Sequence, residues 1–207
     1  MSEYHVNAYF LEKDKTQKIV GSKNEKLIAE VLKDESGIID SVKGRASGKE
    51  MTTAVKELID GNIEEKFPYH YAYATWAAID VITEERPNDP MIGYPFIDLY
   101  DFVEMLENHS VYPKLKTVFA SLNGDNSEHN FPIDIGEWAS MPCITYVETI
   151  DDEMVAEAKQ MKQDIEDFAD WSCDWELDYD DVEQLLGWIE EAHEQQKNLC
   201  MVMDGDL

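Results

Sequence analysis

Residues 143–168 read CITYVETIDDEMVAEAKQMKQDIEDF, and two hydrophobic periods meet inside them. The first six positions, 143–148, are rich in β-branched and aromatic types and predict a strand. From Met154 onward, Ala158, Met161, Ile165 and Phe168 follow at spacings of four, three, four and three. That is the seam of an amphipathic helix. Thr149, with Asp152 three residues on, resembles a capping box at its start. A strand handing over to a helix is the unit from which the fold class follows.

The same two patterns recur outward. Residues 3–11 (EYHVNAYFL) and 198–204 (NLCMVMD) predict opening and closing strands. Asn24 predicts the cap of a short helix with Leu27, Ile28, Val31 and Leu32 on one stripe. The stretch 34–50, with three Gly and three Ser, predicts a loop, and a helix over 51–60 stops at Gly61. Pro68 suits the first turn of a helix over 69–85, which Pro87 and Pro90 end. Pro95 opens another, with Leu99, Phe102, Val103 and Leu106 on one face, and 123–130 is a polar turn or loop. Asp178 predicts the cap of a last helix with Val182, Leu185, Leu186 and Ile189 inward. The expectation is one α+β domain over 1–207: a small, mainly antiparallel sheet of the N-terminal, 143–148 and C-terminal strands, packed by five or six helices. Strand order is not readable, although pairing the first strand with the last would tie down both ends.

Charge carries the functional argument. The 207 residues hold 45 Asp and Glu against 17 Lys and Arg, a net −28, with 43% hydrophobic residues, enough for a core. Residues 1–66 carry 11 basic and 13 acidic side chains, 67–147 carry 3 and 12, and 148–207 carry 3 and 20. The excess thus crowds into the final sixty positions, within an acidic helical portion at about 149–196. Such a field repels nucleic acid and anionic membranes, so neither is an expected direct partner. No apolar run approaches a bilayer span, and the first fifteen residues lack the basic-then-apolar order of a secretory signal. Three widely spaced cysteines, at 143, 173 and 200, match a reduced cytoplasmic setting.

Candidate chemistry fares poorly. The run GRASGK at 44–49 has three residues between its glycines and Glu50 after Lys49, whereas a phosphate loop needs four and a hydroxyl. Glu190 and His193, three apart, are half of a di-iron carboxylate motif whose other half is absent. Asp174, Asp178, Asp180 and Asp181 lack the EF-hand order. No nucleophile elbow or Cys–His signature is present. Catalytic residues, metal ligands and cofactors are therefore all expected to be none, and the protein is expected not to be an enzyme.

What survives is a surface. Acidic positions Asp152, Glu153, Glu157, Asp164, Glu166 and Asp167 surround the helical seam, and Asp180, Asp181, Glu183, Glu190, Glu191 and Glu194 follow on the last helix. Between them Trp171 and Trp175 alternate with Asp170, Asp174, Glu176 and Asp178, and Tyr179 extends the run. Crowded carboxylates repel one another by a few tenths of a kcal/mol per pair, and a cationic partner relieves that repulsion. Aromatic side chains supply anchor area on which Arg or Lys stacks. The expected partner-binding residues are Asp170, Trp171, Asp174, Trp175, Glu176, Asp178, Tyr179, Asp180 and Asp181. The competing readings are general acidic solubility, and tryptophans that merely plug the core.

The opening strand with Val6 and Tyr9, then Gly21-Ser22-Lys23-Asn24 ahead of Leu27, resembles the start of a family of small acidic bacterial proteins. Trp188 followed by Leu199-Cys200 resembles its end. Those proteins are similar in size and acidity to immunity proteins of bacterial polymorphic toxin systems. The resemblance implies a cytoplasmic protector that blocks a cognate toxin, such as a basic nuclease. Rival expectations are a DNA mimic that inhibits nucleases or restriction systems, and a metal-assisted hydrolase using acidic residues and His193.

Overall fold

The computed structural model describes residues 4–12, 14–42, 48–63, 68–83, 91–93, 99–122, 128–129, 142–165 and 179–205. Four strands form one sheet: β1 (Tyr4–Leu11), β2 (Met91–Gly93), β3 (Cys143–Val147) and β4 (Asn198–Gly205), in the order β2-β1-β4-β3. Every pairing is antiparallel. The first and last strands lie side by side at its centre, registered from Tyr4 opposite Gly205 to Leu11 opposite Asn198. The α+β expectation holds, with β2 as an addition. It is three residues long and carries too little pattern to be read before its partner β1 is known.

Eight helices occur among the described residues: α1 (Glu25–Val31), α2 (Ile38–Ser41), α3 (Gly48–Asp60), α4 (Pro68–Ile82), α5 (Leu99–His109), α6 (Pro113–Leu122), α7 (Asp152–Asp164) and α8 (Tyr179–Glu194). They exceed the expected five or six because of α2 and α6. The stretch 34–50 is not simply a loop. It contains α2 and the first residues of α3. Asp34, ahead of the left-handed Gly37, accepts from the amides of Ile39 (2.8 Å) and Asp40 (2.7 Å), doing for α2 what no adjacent cap does. The predicted 69–85 helix ends at Ile82, and the helix expected from Pro95 begins at Leu99. Asn24 caps α1 as expected, accepting from Lys26 and Leu27. At α7 the cap is Asp151 rather than Thr149: its carboxylate accepts from the Met154 amide at 2.9 Å.

Side chains alternate across the pleat, and both faces are covered. Val6, Ala8, Phe10, Val147, Leu199, Met201 and Met203 face a layer built from α5, α6, α7 and α8. Tyr9, Leu11, Ile144, Tyr146, Cys200 and Val202 face α1, α2, α3 and α4. The sheet is the middle of three layers, with the first part of the chain on one side and most of the rest on the other. Two covered faces explain strands that read as continuous apolar runs rather than alternating ones. In α4 every residue from His70 to Asp80 is buried, as expected of a helix enclosed by α1, α2, α3 and the sheet. Three of its polar side chains are answered from the sheet: the Trp76 indole donates to Tyr9 Oη (2.7 Å), Tyr9 donates to Asp80 (3.3 Å), and Tyr73 donates to Asp204 (3.0 Å).

Candidate partner-binding surface

The apolar seam of α7 (Met154, Ala158, Met161, with Ile165 just beyond) is buried, and so are Val182, Leu185, Leu186, Trp188 and Ile189 of α8. Burying each such large side chain stabilises the fold by about 1.5–3 kcal/mol, which is what holds these two helices flat on the sheet. They pack against each other, so their outward residues share one surface. Along its sixteen residues α8 carries Asp180, Asp181, Glu183, Glu190, Glu191 and Glu194 and neither Lys nor Arg. Lys159 and Lys162 are the two basic residues of α7.

Four of the carboxylates on this side have internal tasks. Asp151 caps α7 and pairs with Lys114, which also reaches Glu153 at 3.2 Å. Glu157 accepts from the amides of Lys114 and Leu115, both at 3.0 Å, and so caps α6 from a different helix. Asp164 accepts from the Tyr112 hydroxyl at 2.5 Å and from Gln160 at 2.9 Å. Glu190 pairs with Lys162 at 2.6 Å. The Lys114 hydrogen bond holds the Asp151 carboxyl below its ordinary range, and Tyr112 does the same for Asp164. Burial pushes Glu157 the other way, partly offset by the two amides it caps. Burial and the neighbouring Asp164 push the Tyr112 phenol up.

Asp152 (side chain 99% exposed), Glu153, Glu183, Glu191 and Glu194 remain turned to solvent. A cleft of about 250 Å³ between the helices is lined by Asp152, Glu190, His193 and Glu194 together with Lys159. His193 Nε2 lies 3.2 Å from Asp152 there. Glu190 and His193 thus engage separate partners, and no group of three His, Cys, Asp or Glu among the described residues is placed to hold a metal ion.

Of the expected partner-binding residues, Asp170, Trp171, Asp174, Trp175, Glu176 and Asp178 lie outside the described residues, as do Glu166, Asp167, Phe168 and Cys173. Tyr179, Asp180 and Asp181 form the first turn of α8. Cys143 is half-buried and Cys200 buried, both as free thiols, and burial raises the Cys200 pKa.

One acidic feature escaped the sequence. On the opposite layer a cleft of about 420 Å³ is lined by Glu30, Asp34, Glu35 and Asp80 with Val81, which is 40% exposed. Net charge by thirds hides it, because the lysines of residues 1–66 balance Glu30, Asp34 and Glu35 in the count and Asp80 falls in a different third. Asp80, an acid within the apolar run of α4, was the available signal.

Over residues 1–203 the chain matches the family described as Domain of unknown function (DUF7691). It belongs to that family. The match takes in all eight helices and all of the sheet except the last two residues of β4. No curated protein and no solved structure matches the chain.

Proposed function

We propose that the protein is a non-enzymatic acidic inhibitor of the immunity type, which binds and blocks a basic bacterial toxin such as a nuclease in the cytoplasm. The observation that carries this reading is α8: six carboxylates, neither Lys nor Arg, and a neighbour, α7, whose outward acids extend the same surface. The acid-rich segment 166–178 joins these two helices in sequence. A surface on which one sign so outweighs the other costs self-repulsion that solubility alone does not require, and a cationic partner relieves it while being steered in. In this mechanism carboxylates of 151–194 pair with the Lys and Arg that a nuclease would present to phosphates, while Trp171, Trp175 and Tyr179 anchor the contact. That no described helix is long and apolar enough to cross a membrane accords with the setting.

The test is co-expression of the chain with each product of the genes adjoining its own, scored for rescue of growth and for co-purification. Neutralisation of one toxic product supports the reading. Inhibition of several unrelated DNA-binding proteins indicates a mimic instead. Failure to neutralise or bind any of them overturns both.

A further inference from the structure

The joint between α5 and α6 is strained and is held from outside. Ser110 (φ 52°) and Tyr112 (φ 50°) both occupy the left-handed region. Ser110 has a local reason: its amide donates to Glu107 O and the Val111 amide to Leu106 O, the pattern that ends a helix on a left-handed residue. Tyr112 has none. A bulky side chain at positive φ is an outlier, and the residue before a proline is further steered toward extended backbone. Yet Tyr112 precedes Pro113, and its carbonyl accepts from the Lys116 amide at 2.9 Å, so it stands at the N-cap of α6. Ordinary N-caps are extended, with a short oxygen-bearing side chain turned onto the first amides. Tyrosine offers no such oxygen, and the acceptor comes from α7: Glu157 takes the amides of Lys114 and Leu115. Asp164, at the other end of α7, takes the Tyr112 hydroxyl. Strain of this kind persists only where the surroundings over-determine it.

We propose that the α5–α6 joint is a sprung hinge held shut by α7: when the grips of Asp164 and Glu157 are removed, Tyr112 leaves the left-handed region and the first turn of α6 opens while the sheet stays folded. Asp164 is partly exposed, so its grip is open to competition from a cation that reaches the end of α7. The hinge itself stands on backbone geometry and does not depend on the functional reading above.

Amide hydrogen exchange on the full chain tests it. Tyr112→Phe keeps the ring and its packing and removes only the hydroxyl that Asp164 holds, while Glu157→Ala removes the remote cap. Each is expected to speed exchange at residues 114–117 by about tenfold, and the pair together by more, with β4 amides 199–203 unchanged. Unchanged exchange at 114–117 in Tyr112→Phe overturns the hinge. So does a rise there matched by an equal rise in β4, which reports general loosening. If Glu157→Ala fails to fold, the Tyr112→Phe result decides alone.

Discussion

Ser110, Tyr112 and Gln196 have positive φ without being glycine, and the reasons differ. Gln196 closes α8: its amide donates to His193 O at 3.0 Å, and the Lys197 amide to Ala192 O at 2.9 Å. Gly61 closes α3 in the same way, with the Asn62 amide on Glu57 O. Only at α3 does the sequence announce the turn, because only there is the left-handed residue a glycine. Gln196→Gly is therefore expected to stabilise the protein by about 0.5–1 kcal/mol, read as a shift in denaturant midpoint with unchanged slope. Gly61→Ala goes the other way. A Cβ at Gly61 would lie 2.8 Å from the Cα of Gly21, whose own φ is 68°, so neither backbone has room to yield. A loss of roughly 2 kcal/mol is expected on the same measurement.

Long elements with a full apolar pattern were legible from sequence, whereas very short ones and caps supplied by another helix were not. Asn24, Gly61, the α7 seam and the two central strands each carry their own signal in adjacent residues. α6 carries one too, Pro113 at its first position and Leu115, Val118, Phe119 and Leu122 at helical spacing, yet it is missing from the expected helices; what is remote is its cap, the Glu157 carboxylate. α2 is four residues long, too short to show a stripe, and its acceptor, Asp34, stands on the far side of a left-handed glycine instead of at the cap position. Two other carboxylates, Asp151 on Lys114 and Asp164 on Tyr112, make the contact between α6 and α7 sensitive to acid. Asp151 and Asp164 titrate below their ordinary range when folded and within it when unfolded. Their contribution is thus complete above about pH 4 and is lost as pH falls further. Glu157, raised by burial, works in the opposite sense, its ionisation alone costing stability as pH rises through that raised value. Denaturant midpoints measured from about pH 6 down to about pH 3 are expected to fall less steeply in Asp151→Asn/Asp164→Asn than in the unaltered chain. Equal slopes would show that these two carboxylates do not carry the acid sensitivity.

For the whole molecule, charge by chain order was legible because the fold sends the last part of the chain to one side of the sheet. Which carboxylates stay free was not legible. Lys114, Tyr112 and Lys162 occupy Asp151, Asp164 and Glu190, and these partners meet only in three dimensions. The acidic cleft at Asp80 was hidden for a related reason, since the fold brings Asp80 to Glu30, Asp34 and Glu35 from a distant part of the chain. The central claim is that negative potential on the α7–α8 side steers a basic partner. Its most direct test is the association rate with the neutralised toxin between about 50 and about 300 mM salt, for the unaltered chain and for Asp174→Lys/Asp178→Lys/Asp181→Lys. The account predicts a rate that falls about tenfold or more with salt in the unaltered chain, and that starts low and hardly changes in the variant. A rate indifferent to both salt and charge reversal would contradict it.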